Sequence, residues 1–190
     1  MSHRHSMRSA ASTTTDGRVD FAAADQRDAL HNQGDKDSRA MAANLRRRVT
    51  AVNALLAAVY GEDTRLSVLL ERLGASAEEI RHFREHAVAD ACDGVVDAVS
   101  TCFQGLRTGS RDFLVLSRRL GLDGDVATLQ EVGDELGVTR ERVRQLEERA
   151  RLKCRASRNR DAVEACLLEI LALTRRRSLS HNPSAPDEGL

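Results

Sequence analysis

A chain of 190 residues holds one domain or two small ones. Hydrophobic residues at 41% and charged residues at 31% allow a packed core, while aromatics at 3%, with no Trp, exclude a surface that stacks many bases and argue against a large β-sandwich. The formal net charge is +0, so any attraction to nucleic acid must come from local clustering of charge.

Residues 1–40 are rich in Ala, Ser, Thr, Asp and His, lack a sustained apolar period and read as a disordered tail. Pro183 and Pro186, the two prolines of the chain, mark a second tail at 178–190. Between the tails Leu, Val and Ala recur at spacings of three and four, with no alternating strand pattern, so an all-α helical bundle is expected. Glycines and capping residues predict helices over 41–60, 64–73, 76–90, 92–106, 110–120, 129–136, 140–156 and 161–176. These group into a helical domain at 41–90, a DNA-binding domain at 91–157 and a C-terminal helix within 158–177. The segment "AVEACLLEILAL" in that last helix is apolar on most of its circumference. It must pack on its own domain or on a homodimer partner through 161–176.

Cys92, Cys102, Cys154 and Cys166 form no CxxC pair or regular framework and read as reduced thiols. No apolar run reaches membrane-spanning length and the N-terminus lacks a signal core, which predicts a cytoplasmic protein with no membrane partner. "HFREH" (82–86) fits the H-x-x-E-H metalloprotease pattern, in which two His one turn apart bind metal and Glu activates water. It falls in the second helix of an apparent helix-turn-helix with no cleft of enzymatic size expected around it. No other catalytic constellation and no phosphate-binding Gly-rich loop occurs. The expectation is therefore no enzyme, no catalytic residues, no metal and no cofactor.

"TLQEVGDELGVTRERVRQLEERA" (128–150) is the informative stretch. Thr128 and Glu131 form a capping box, in which the hydroxyl accepts the Glu131 amide and the carboxylate accepts the Thr128 amide. Leu129, Val132 and Leu136 share one face, Gly133 permits close approach of a second helix, and Gly137 ends the first helix. Thr139 then caps a new helix with Glu141 in its first turn. Two short helices joined this tightly cross steeply, as in a helix-turn-helix. On the second helix Val143, Leu146, Ala150 and Cys154 form a stripe, and Arg140, Glu141, Arg144, Gln145 and Arg155 lie opposite. These residue types read a major groove: Arg pairs with guanine, Gln with adenine and Glu with cytosine. A solvated face laced with i,i+4 ion pairs has the same composition. From 139 to 160, however, nine basic residues (140, 142, 144, 149, 151, 153, 155, 158, 160) face three glutamates (141, 147, 148). That excess, with the capped first helix and the glycine turn, favours double-stranded DNA as partner.

"SRDFLVLSRRLGLDGDVATLQEVGDELGVTRERVRQLEERARLKCR" (110–155) resembles region 4 of bacterial primary-type RNA polymerase sigma factors. With the preceding "VVDAVSTCFQGL", the resemblance covers about 92–156. It implies a helix entering the major groove of the upstream promoter element, with Arg140, Glu141, Arg144 and Gln145 at base and phosphate contacts. Thr128, Leu129 and Gln130 match positions abutting the DNA backbone. Arg149 and Lys153 match basic positions of the same DNA-binding surface, at which activators touch the family. Val99, Phe103, Phe113 and Leu116 are the positions implied to grip the β flap of the polymerase core. Two departures stand out. Glu148 replaces a small residue, and Arg151, Leu152, Lys153, Cys154 replace "LRKL", exchanging an apolar and a basic position.

Shifted by 63 residues, "LSVLLERLGASAEEIRHFREHA" (66–87) aligns with 129–150 at seven identities in 22 positions. This part of 44–87 also resembles sigma region 3, although Ala77 stands where Arg140 would. Nothing before residue 92 resembles the promoter-melting region 2. The resulting expectation is a sequence-specific DNA-binding transcription regulator of bacterial, phage or plasmid type, located at the nucleoid. A split or accessory sigma subunit docked on RNA polymerase is the alternative, and an inhibitor that occupies polymerase or a sigma factor is a third.

Overall fold

Residues 21–61 and 64–180 are described by a computed structural model, and every regular element among them is an α-helix. In chain order these are α1 (Phe21–Tyr60), α2 (Leu66–Arg72), α3 (Ala77–His86), α4 (Val88–Gln104), α5 (Gly109–Leu120), α6 (Leu129–Leu136), α7 (Arg140–Cys154) and α8 (Ser157–Ser180). The all-α expectation holds. Residues 1–40 and 41–190 are two separate units. Helix begins at Phe21 rather than at residue 41, so the tail expected over 1–40 is helical from 21 onward. Ala, Gln, Asp, Arg and Lys there need no apolar stripe to adopt helix, because helix propensity and packing are separate properties. Residues 178–180 of the second expected tail are likewise helical, as the end of α8, and residues 1–20 and 181–190 lie outside the described residues. The second break expected near residue 91 falls instead at Ala87, where α3 ends and α4 begins.

The core of the second unit is built by apolar residues at helical spacing. Val52, Leu55, Leu56 and Val59 of α1 meet Leu69 and Leu70 of α2, Phe83 of α3, and Val95, Val99 and Phe103 of α4. From α8, Val163, Leu167 and Leu171 complete it. Val163, Leu167 and Leu171 of the helix considered for a dimer are thus used inside the chain, whereas Leu168 and Leu173 are exposed, and α8 makes its most extensive contact with α4. Gly94 is the reason these two helices approach so closely: a Cβ there would lie 2.6 Å from Cys166 Sγ and 3.4 Å from Ile170 Cδ1.

Polar links fasten α8 at both ends. Tyr60 donates to the Arg160 carbonyl at 3.0 Å, and Arg175 Nε donates to Glu79 Oε1 at 2.6 Å. At the α7–α8 junction the buried Asn159 amide donates to the carbonyls of Lys153 and Cys154, at 2.8 and 3.0 Å, satisfying the open end of α7. Three of the four residues implied to grip a polymerase flap, Val99, Phe103 and Leu116, are buried in this core. Phe113 is half-buried with its ring 5.5 Å from that of Phe103.

Candidate nucleic-acid interface

The two helix starts of the α6–α7 pair are each fixed by a cap that spans three residues. Thr128 Oγ1 accepts the Glu131 amide at 3.2 Å while Glu131 Oε2 accepts the Thr128 amide at 2.6 Å. Gly137 closes α6 in the left-handed conformation, at φ 63°, which only a residue without Cβ adopts at no cost. Thr139 then accepts the Arg142 amide at 3.2 Å and starts α7. Between the two helices lies a small core of their own, Val132, Val143 and Leu146, closed by Val115 of α5 and flanked by Ala127, Leu129, Leu136 and Val138.

Gly133 sets the crossing. A Cβ on it would lie 2.8 Å from the Val138 carbonyl oxygen, a backbone atom that cannot swing aside. The turn is locked to the same residue, since the Val138 amide donates to the Gly133 carbonyl at 2.9 Å. Gly133→Val is therefore expected to destabilise the protein by about 2 kcal/mol through overpacking. A urea denaturation midpoint unchanged by that substitution would refute the tight crossing.

The buried stripe of α7 is Val143, Leu146, Ala150 and Cys154, as its 3.6-residue period requires. Burial pushes the Cys154 thiol up to about 12, so it serves as packing and not as a nucleophile. Arg140, Glu141, Arg142, Arg144, Gln145, Glu148 and Arg155 are all exposed on the other side. They form a lattice. Arg144 donates to Glu141 at 2.8–3.2 Å and reaches Glu148 at 3.5 Å, and Arg142 donates to Gln145 Oε1 at 3.1 Å. The Arg144 hydrogen bond holds the Glu141 carboxyl below its usual range. Arg140, at the first turn, has no ion pair among the described residues. Of the α6 positions, Thr128 is exposed and engaged in the cap, Leu129 is half-buried against the small core, and Gln130 is exposed with its amide on Asp134 at 2.7 Å.

Arg149 and Lys153 are placed differently from the other candidate residues. Both turn toward α5 and converge on Asp112, whose side chain is fully buried. Arg149 makes a forked contact, Nη2 to Oδ1 at 2.5 Å and Nε to Oδ2 at 3.0 Å, and Lys153 Nζ donates to Oδ2. Their charges are thus committed to holding α7 on α5. A parallel tie joins Arg119 of α5 to Glu147 at 2.9 Å and to the Ala127 carbonyl at 2.5 Å, and Arg151 takes the other Glu147 oxygen. Sequence reasoning did not find Asp112. Its signal was position: it precedes Val115 and Leu116 by three and four residues and so shares their buried face.

This arrangement has a measurable family likeness. The family described as sigma-70, region 4, matches residues 102–156, which span α7 and its supports. That segment is similar to sigma-70 region 4. The RNA polymerase principal sigma factor HrdC of Streptomyces coelicolor is 52% identical over 52 residues, which is 27% of this chain and 15% of that protein. The match is thus confined to a small part of the relative's length. No solved structure matches the chain significantly.

Region 4 is a helix-turn-helix DNA-binding module of transcription, and it is non-enzymatic. The two departures from the expected pattern fit the geometry. Leu152 is exposed and Cys154 buried, so the apolar stripe closes with a small thiol. Glu148 lies beside Arg144 on the exposed face. The repeat seen at 66–87 has corresponding geometry, with Gly74 at φ 83° matching Gly137 and the Ser76 side-chain cap matching the Thr139 cap of α7. Among the described residues no helix is long and apolar enough to cross a membrane.

Proposed function

We propose that this protein is a sequence-specific regulator of transcription that binds duplex DNA through α7 without help from RNA polymerase. The observation that carries the reading is the division of α7. Arg140, Glu141, Arg144 and Gln145 face outward on a helix whose opposite stripe is fully packed. Thr128 and Gln130 flank it at the start of α6, where backbone phosphates would approach. Arg149 and Lys153, held by Asp112, position this helix.

The reading as an accessory polymerase subunit is favoured by the region 4 match itself. Against it, Val99, Phe103 and Leu116 are covered in the chain's own core, so they offer no apolar grip to another protein. The helix-turn-helix at 66–87 serves a structural role in this reading, since Ala77 begins its second helix where Arg140 begins α7.

Selection from a random duplex library separates the readings. Full-length protein alone is expected to enrich one discrete motif, with log affinity falling against log salt by about 0.9 per phosphate neutralised. Enrichment only after core polymerase is added would replace the regulator with the accessory subunit. Retention of polymerase with no enriched DNA would indicate an inhibitor.

A further inference from the structure

Away from the DNA-facing helix, the last turn of α3 gathers three metal-ligating side chains. His82 and His86, four residues apart, stand one above the other on the same helix face. Their ring centroids are 4.4 Å apart, with planes inclined by 53°. Glu85 joins them, its Oε2 3.8 Å from His86 Nε2. One ligand atom from each residue lies within 4.8 Å of the others, and no other cluster of this kind occurs among the described residues.

We propose that His82, Glu85 and His86 form a surface site for a divalent transition cation, with Zn²⁺ the best fit. Two imidazoles and one carboxylate suit Zn²⁺, whereas Mg²⁺ demands an oxygen-rich octahedron that this set cannot provide. Small rotations of the half-buried His82 and the exposed Glu85 and His86 side chains bring the three atoms to tetrahedral spacing and leave the fourth position to water or to a group from another molecule. Of the neighbouring arginines on α3, Arg81 is paired with Glu78 at 3.9 Å, and Arg84 lines a groove with Phe83 and Val88.

Glu85 and His86 are exposed at the end of α3, so a cation held there would fasten that helix end. α3 is tied through Glu79 and Arg175 to α8, so a bound cation stiffens a helix that the core already holds by its other face.

The test is calorimetric titration of ZnCl₂ into the full-length protein kept reduced with a phosphine, alongside His82→Gln/His86→Gln and Glu85→Gln. Far-UV circular dichroism would check that each variant keeps its helix content. The chain is expected to take up one more equivalent of Zn²⁺ than the double variant, Glu85→Gln is expected to weaken that site several-fold, and MgCl₂ should give no uptake. In histidine-selective NMR spectra, Zn²⁺ should shift the His82 and His86 ring signals first among the six histidines. Equal stoichiometry and affinity in the native chain and the double variant would overturn the proposal and assign the zinc to thiols or to His3 and His5. Uptake of Mg²⁺ at the same ligands would overturn it as well.

Discussion

Asp112→Ala is expected to lower stability by about 2–3 kcal/mol. Removing one partner of a buried charge cluster costs roughly 3–5 kcal/mol when the remaining charge is stranded. Here the stranded cations are only part-buried, with the Arg149 side chain 40% and the Lys153 side chain 25% exposed. Both recover some hydration, which moves the cost to the lower figure. The pH dependence is a sharper mark. Burial by itself would raise the Asp112 carboxyl, but hydrogen bonds from Arg149 and Lys153, with their charges, outweigh it and hold the group below the usual carboxylate range. A folded value lower than the unfolded one stabilises the protein fully above the unfolded value of about 3.9, and this contribution disappears as pH falls through the folded value. Urea midpoints of the native chain and Asp112→Ala should therefore differ by a constant amount near neutrality and converge below about pH 4. A gap that stays constant down to pH 3 would show that the loss is one of packing.

That cluster also shows where sequence reading stops. The cap of α6, the Gly137 turn and the Thr139 start of α7 each depend on partners within a few residues, so local spacing revealed them. The same holds for the Val143, Leu146, Ala150, Cys154 stripe, which follows from helical period alone. The resemblance places Arg149 and Lys153 on the DNA-binding surface because they match basic positions of the family. Their acceptor is 37 and 41 residues away on α5, and no periodic pattern links the two. The apolar positions Val99, Phe103 and Leu116 were legible as apolar, but whether a partner protein or α8 covers them is a tertiary matter. Gly94 could have hinted at α8, since a glycine inside a helix has a propensity cost and often marks close approach. The break at Ala87 had no such marker, being made by an ordinary residue at φ −132°, ψ 0°.

Arg144→Ala is expected to weaken binding to the selected duplex by roughly 5- to 150-fold, the range for loss of a side chain that reads a base edge. The ion lattice around Arg144 does not argue against this role. Glu141 and Glu148 hold it through exposed contacts, which solvent screens and which cost little to exchange for a bidentate pair with a guanine. The lattice does predict an asymmetry between the two glutamates. Glu141 sits in the first turn, where it favours the helix dipole and has the geometry to accept from a cytosine. Glu148 is a turn further along and brings only negative charge to a surface that must meet phosphates. Glu148→Ala should thus tighten binding severalfold, most strongly at low salt, whereas Glu141→Ala should weaken it and relax preference at one base pair. Combining Glu148→Ala with Arg144→Ala identifies the route. If Glu148 acts by competing for Arg144, its gain vanishes in the double variant; if it repels phosphates directly, the gain persists. Anisotropy titrations of the four proteins at two salt concentrations decide between these. An Arg144→Ala variant that binds as tightly as the native chain would remove α7 from the groove altogether.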